Sequence, residues 1–194
     1  MGLRDILTGR HEVKGPAPDH MFAITTAYVT LEAEHQISPA GKAAIVFQAL
    51  ATSEFETTLK EMEAIVTATG GDSGTTVSTQ DDSYGYRWMV LANPADAPSV
   101  EDLAVGINAV SGSIETAGYG ARLLCAVFAF TDAKGAPIYF IYNYKRGSWY
   151  PFVPAPGEQQ RSTERELQIK AQISGELPIE PELERWFPLW GIPI

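Results

Sequence analysis

Cysteine is almost missing from this chain. Cys125 is the single thiol in 194 residues, so no internal disulfide can form and a four-cysteine zinc site is excluded. Long hydrophobic runs are missing too. The longest, Leu123 to Phe130, falls far short of the ~20 residues that span a bilayer. The first twenty residues lack the charged-then-apolar order of a secretory leader, and Ile6 stands where the myristoylation pattern after Met1-Gly2 needs Ser or Thr. The expectation is a cytoplasmic protein with no direct membrane insertion. Histidine is scarce: His11, His20 and His35 have no HxxH or HxH spacing, so no metal is expected.

Basic residues are also short, 14 against 24 acids, for a net charge of −10. That sign repels nucleic acid and anionic lipid at long range. The imbalance is uneven. Residues 21–118 carry 13 acids and 3 bases, whereas over 119–147 Arg122, Lys134, Lys145 and Arg146 face Asp132 alone. This reads as one acidic side and one small basic edge, which suits the orientation of a protein partner. An acidic surface that only confers solubility is the alternative.

What is present is ordinary for a globular domain: 45% hydrophobic and 20% charged residues. The length fits one domain with tails. The chain divides into an arm over 1–20, an α+β core over 21–153, and a C-terminal helix with a Trp-rich tail over 154–194 that packs on the core. In the arm, Leu3, Ile6 and Leu7 share one side of one or two helical turns, which Gly15-Pro16-Ala17-Pro18 ends.

Two helices are well marked. One opens at Ser53 with Glu56 as a capping box, carries Phe55, Leu59, Met62 and Val66 on one stripe, and stops at Gly70-Gly71. The other opens at Ser99 with Asp102, carries Leu103, Ile107, Val110 and Ile114, and stops at Gly118. Strands are expected at Ala43 to Phe47 after a turn at Ser38-Pro39-Ala40-Gly41, at Thr75 to Gln80, and at Tyr84 to Leu91 with Tyr84, Tyr86, Trp88 and Val90 on one side. Arg122 to Phe130 and Pro137 to Tyr144 form a hairpin across Asp132-Ala133-Lys134-Gly135. Ala27 to Ala33 adds a further strand or a short helix. A mostly antiparallel sheet with two amphipathic helices follows, either on a ferredoxin-like (split βαβ) plan or in a secretion-chaperone-like arrangement.

The hairpin strands are apolar on both faces, so something must cover the second one: the arm, the C-terminal tail, another subunit or a partner. After Tyr144 the chain turns basic and aromatic, becomes proline-rich over Pro154 to Gly157, and carries a charged helix over about Ser162 to Ile173. It closes with two tryptophans, which must dock somewhere because leaving that area wet is costly.

No catalytic constellation stands out. Asp81-Asp82 lacks calcium-loop alternation and reads as a solvated turn. Gly70-Gly71-Asp72-Ser73-Gly74 follows a helix and has no Lys-Ser/Thr ending, so it is a loop and not a phosphate cradle. Cys125 sits mid-strand, where burial keeps a thiol inert. Ser111-Gly112-Ser113 lies inside a helix and is no nucleophile elbow. An RNA-recognition sheet is opposed by the acidic charge and by the place of Lys145-Arg146-Gly147 after the second helix. What remains is recognition. Lys145, Arg146, Trp149, Tyr150 and Phe152, with Arg185, Trp186 and Trp190, are residue types enriched at interface hot spots. The competing and preferred reading is that these aromatic clusters bury each other on the open sheet face, with part of them left at a rim.

Longer motifs carry a resemblance. Tyr84-Gly85-Tyr86-Arg87-Trp88, Leu123-Leu124-Cys125-Ala126-Val127-Phe128, Tyr142-Asn143-Tyr144-Lys145-Arg146-Gly147 with Tyr150-Pro151-Phe152, and Arg185-Trp186-Phe187-Pro188-Leu189-Trp190-Gly191 resemble the PspA-associated protein PspAB family, as do Met1-Gly2-Leu3 and Pro39-Ala40-Gly41. Residues 50–80 carry none of the signature. The resemblance implies a cytoplasmic accessory of the bacterial phage-shock, envelope-stress system: an adaptor or regulator bound to PspA, a coiled-coil protein that coats damaged membrane. It implies no enzyme, no cofactor and no catalytic residues. Self-association stays open beside PspA or another stress protein as partner. The alternatives are a small-ligand binder or enzyme with a pocket under the C-terminal tail, where Arg87, Lys145, a carboxylate and a tyrosine hydroxyl would converge, and, third, an RNA-binding module.

Overall fold

The computed structural model describes residues 18–69 and 74–194. The arm helix expected around Leu3, Ile6 and Leu7, His11, and most of the glycine-rich loop at 70–74 lie outside the described residues. The chain opens with a short turn of helix α1 (Pro18–Phe22) and α2 (Ile24–His35), followed by β1 (Ser38–Gln48) and α3 (Ser53–Thr69). Next come β2 (Thr76–Asp81), β3 (Tyr86–Ala92), α4 (Val100–Thr116), β4 (Leu123–Thr131), β5 (Pro137–Asn143) and β6 (Ser148–Phe152). A two-residue-per-strand hairpin, β7 (Pro154–Ala155) and β8 (Gln160–Arg161), leads into α5 (Thr163–Ile173).

The protein is therefore α+β, with one antiparallel six-stranded sheet in the order β2-β3-β1-β4-β5-β6. In the first four strands β3 lies between β1 and β2, and β1 lies between β3 and β4. Each helical crossover thus skips one strand, which is the split βαβ plan and selects it from the two arrangements compatible with the sequence. β5 and β6 extend the sheet beyond β4.

Period-two alternation sends two apolar sets to opposite faces. Ile45, Phe47, Met89, Leu91, Phe128 and Phe140 face the helices, where they meet the stripes of α3 and α4: Phe55, Leu59, Met62 and Val66, then Leu103, Ile107, Val110 and Ile114. Both stripes are buried as their spacing requires. The caps differ. Ser99 accepts a hydrogen bond from the Asp102 N–H at 3.1 Å, as expected. The expected Ser53 box does not form: Thr52 Oγ1 accepts from the Phe55 N–H at 3.3 Å, and the Glu56 carboxylate turns to Arg87. A hydroxyl one residue earlier does the capping because a fully charged guanidinium is the better partner for Glu56.

Two other local readings change. Ala27 to Ala33 is helical, inside α2, which buries Ile24, Ala27 and Leu31. Ser38-Pro39-Ala40-Gly41 is not a turn before the strand but part of β1, where the register with β4 slips between Pro39 and Lys42. Gly41 takes φ +67° at that bulge, a conformation glycine adopts without strain.

Helix α4 lies so close to the sheet that a Cβ on Gly106 would stand 2.3 Å from Leu91 Cδ2, whereas a Cβ on Gly112, in the same helix, meets nothing within 4 Å. Leu91 is fully buried, so its methyl group yields only by displacing neighbouring side chains. Gly106→Ala is expected to destabilise by about 1–3 kcal/mol of overpacking, less the roughly 1 kcal/mol that alanine returns to a helix. Gly112→Ala is expected to stabilise by up to about 1 kcal/mol. Urea unfolding of both variants measures the contrast, and equal shifts would contradict the close approach.

Candidate functional site

The second face of the sheet carries Ala44, Val46, Trp88, Val90, Val127, Ile141, Tyr150 and Phe152, and among the described residues no helix contributes to its apolar cluster. The C-terminal tail does. Trp186 is 4% exposed and stacks on Tyr150, ring centroids 6.2 Å apart at 22°, and Trp190 meets Phe152 edge-on at 5.2 Å. Buried rings still need their polar ends satisfied. Trp186 Nε1 donates to the Glu180 carbonyl at 3.0 Å, Tyr150 Oη to the Phe187 carbonyl at 3.0 Å, and Tyr139 Oη to the Ile194 carbonyl at 3.0 Å.

Charged groups pin the start of this tail. Glu166 on α5 is fully buried, accepts from the Val153 N–H at 2.9 Å, and pairs with Arg161 at 2.7 Å. Arg161 also donates to the Trp186 carbonyl at 2.7 Å and lies 5.3 Å over the Phe152 ring. One buried carboxylate thereby joins β6, β8, α5 and the tail. Segment 178–180 adds to the free edge of β6: the Trp149 N–H donates to the Pro178 carbonyl at 2.9 Å, and the Glu180 N–H to the Trp149 carbonyl at 2.7 Å.

The tail leaves one stretch of this face open, a cleft of about 590 Å³. Its floor is a row of residues paired across four strands: Trp88 on β3, Val46 on β1, Cys125 on β4 and Asn143 on β5. Three inter-strand spacings make that row about 14 Å long. Leu124 widens the floor because it bulges where the β1–β4 register slips beside Val46. Phe187, Pro188, Leu189 and Trp190 of the tail form one wall, and Tyr84 of the β2–β3 turn with Tyr86 at the start of β3 forms the other. The three rings at the mouth are wet: Tyr84 is 60%, Phe187 59% and Tyr86 38% exposed.

The two ends of the cleft differ in charge. At the Trp88 end, Asp82 is already occupied: Oδ1 accepts from the Tyr84 and Tyr86 N–H groups at 2.8 and 2.9 Å, and Oδ2 from Trp88 Nε1 at 2.9 Å. At the Asn143 end stand Lys145 and Gln159. Among the described residues no carboxylate pairs with Lys145. Beneath, the Cys125 thiol is pushed up to about 12 by burial, so the sulfur is not a nucleophile near neutral pH.

The residues expected to bind a partner separate into two groups. Trp149 and Phe152 are fully buried and Tyr150 nearly so, as core of opposite faces: Trp149 packs on the helix side against Phe128 and Tyr142, Tyr150 and Phe152 on the tail side. They do not form an aromatic surface patch, because consecutive strand residues point to opposite faces. Trp186 is core as well, and Trp190 is half-buried at the cleft. Arg146 and Arg185 are engaged with Glu180 and Glu182, Arg146 Nε to Glu180 at 3.3 Å and Arg185 to Glu182 at 2.9 Å. Only Lys145 of the eight is both at the surface and without an ion-pair partner among the described residues. Nor is the basic edge continuous: Lys134 sits in the β4–β5 turn, at the opposite end of the sheet from Arg122, Lys145 and Arg146. The acidic pair Asp81-Asp82 is no merely solvated turn, since Asp81 pairs with Arg87 at 2.6 Å, which holds its carboxyl below the usual range.

A pocket under the tail exists, but Arg87 does not converge on it. Arg87 alternates with Trp88, so it faces the helix side, where Glu56 and Asp81 hold it at 2.6 Å each. Phe187, in the aromatic cluster beside Arg185 that the sequence offers for recognition, is exposed at the cleft; Leu189, Tyr84 and Tyr86 were not expected as cleft walls. An alternating strand with Tyr86 at its first paired position and Tyr84 just before it was the available signal.

Tyr142 is raised to about 12 by burial, and Tyr144 and Tyr150 are raised by the same cause. Unfolded thiols ionise near ~8.5 and tyrosines near ~10, so above about pH 8.5 the unfolded chain releases protons that the folded one keeps. Stability is expected to be at its full value below about pH 8 and to fall as pH rises toward 12. Urea midpoints across that range measure it, and Cys125→Ala should remove the earliest part of the fall. A thiol reagent at pH 8 should label Cys125 far more slowly than a free thiol, because so little of it is thiolate; labelling at the rate of a free thiol would contradict the raised pKa.

Compared with protein-family models, the chain matches PspAB, PspA associated protein B, over residues 1–194. No curated protein and no solved structure matches it.

Proposed function

The chain belongs to the PspA associated protein B family, and from that premise we propose that it is a non-enzymatic adaptor of the bacterial phage-shock, envelope-stress response. It works in the cytoplasm by protein–protein binding and meets the membrane through PspA. Among the described residues no helix is long and apolar enough to cross a membrane. The observation that supports a docking role is the mouth of the cleft. Tyr84, Tyr86 and Phe187 are large rings held in water at the mouth of a cleft that has Lys145 at its other end. Aromatic side chains at a rim with an unspent cation are the anchors that protein interfaces use. The buried aromatics of β6 hold the tail in place and so fix Phe187 opposite Tyr84.

The cleft itself favours a second reading, a small-ligand-binding protein, because its volume lies in the roughly 300–1,000 Å³ range of small-molecule sites.

Co-sedimentation of purified protein with PspA tests the docking reading. Tyr84→Ala with Phe187→Ala is expected to weaken retention at least about tenfold. Both positions are exposed, so the fold should persist, which a thermal melt checks. Equal retention of the folded double variant would reject this surface, and no retention of the wild type would reject PspA as the direct partner.

A further inference from the structure

We propose that the cleft beneath the C-terminal tail is a binding site for a single-chain amphiphile with one anionic head, a fatty-acid-like monocarboxylate whose tail lies along the Trp88–Val46–Cys125 floor and whose head meets Lys145.

The cleft holds about 590 Å³ over an apolar floor about 14 Å long, room for an extended hydrocarbon chain laid along it. The floor runs across the strands, so what it offers along its length is a succession of side chains, Trp88, Val46, Leu124 and Cys125, and no open line of backbone donors that would capture a peptide as an added strand. Burial of an apolar chain there is driven by the area withdrawn from water.

Charge selects the head and its direction. Asp82, at one end, accepts three hydrogen bonds from its own turn and from Trp88 and serves as an internal anchor. It also disfavours an anion at that end. At the other end Lys145 has no acidic partner among the described residues, and Asn143 and Gln159 stand beside it. Asn143 Oδ1 accepts from the Lys145 N–H at 3.1 Å, which holds the turn that carries the lysine. A chain with one carboxylate fits in one orientation; a cationic head of the same length has its charge placed against Lys145. The neighbouring arginines do not compete for the head, since Arg146 and Arg185 are bound to Glu180 and Glu182.

Trp88 and Trp190 line the cleft, so tryptophan emission reports occupancy. The probes are decanoate, decanol and decyltrimethylammonium, each titrated below its micelle concentration. Decanoate is expected to give a saturable change and to bind about tenfold or more tightly than decanol, the increment of one charge-assisted hydrogen bond, with the cation weakest. Lys145→Met is expected to erase the advantage of decanoate over decanol while leaving decanol unchanged. Leu124→Trp, which fills the floor, should abolish both. Lys145 is exposed, so its variant tests the proposal even if the filled floor disturbs folding. Equal affinity for the three probes, an unchanged ratio in Lys145→Met, or no saturable binding of decanoate would overturn the proposal. It does not rest on PspA: protein that binds decanoate in this order but retains no PspA still supports it.

Discussion

A sheet with two apolar faces must have both of them withdrawn from water, and the helices among the described residues serve only one. Strands β4 and β5 supply Phe128, Phe130 and Phe140 to the helix side and Val127, Ile141 and Tyr139 to the other. The second face is closed by a tail too rich in proline to be a helix. It docks by stacked and edge-on rings and by backbone carbonyls that receive buried donors from Tyr139, Tyr150 and Arg161. An irregular segment can lie on a sheet only if its polar backbone is satisfied in this way. The buried Glu166–Arg161 pair is central to that arrangement, since the same arginine binds the carboxylate, the Trp186 carbonyl and the Phe152 ring. Removing either partner would strand the other charge in the interior.

What such a tail leaves uncovered then matters. It leaves a trough between Phe187 and Tyr84. The ion pairs around it decide which charges act. Arg146, Arg185, Glu180 and Glu182 neutralise one another at the root of the tail, and Arg87 is neutralised on the other face. From a chain of strongly acidic composition, the site inherits one unspent cation. Docking of a partner at the aromatic mouth and occupation of the trough by an amphiphile would therefore draw on adjoining surfaces, rim and floor, of the same cleft.

Much of the framework was legible in the sequence. The stripes of α3 and α4 have the 3.6-residue period in unbroken form, and the β4–β5 hairpin has a turn signal between two apolar runs, so local pattern and tertiary structure agree there. The need for a second cover was legible too, from strands without a polar face. Other elements were hidden. Helix α2 buries Ile24, Ala27 and Leu31 but carries Thr25, Thr26, Val29 and Thr30 among them, which blurs the stripe. Strand β1 contains Pro39 and Gly41, which read as a turn because the same residues that punctuate turns also permit a bulge. Strand β6, with Trp149, Tyr150 and Phe152 next to a basic turn, has the composition of an interface and the position of a core strand. Composition does not separate the two, since both are apolar surfaces that must be covered.

By itself, then, the sequence determined the elements with strong periodicity, the two-faced apolarity of the sheet, the requirement that two C-terminal tryptophans be buried, and the family signature. Each of these is written in residues close together in the chain. Only the tertiary structure decided that the tail lies on the second face. It likewise decided that Arg146 and Arg185 are spent on Glu180 and Glu182 while Lys145 is not, and that Trp88, Val46, Cys125 and Asn143 line up as one floor. Those facts depend on strand order and register, which bring together residues as much as a hundred positions apart, and no local pattern encodes a pairing made across four strands.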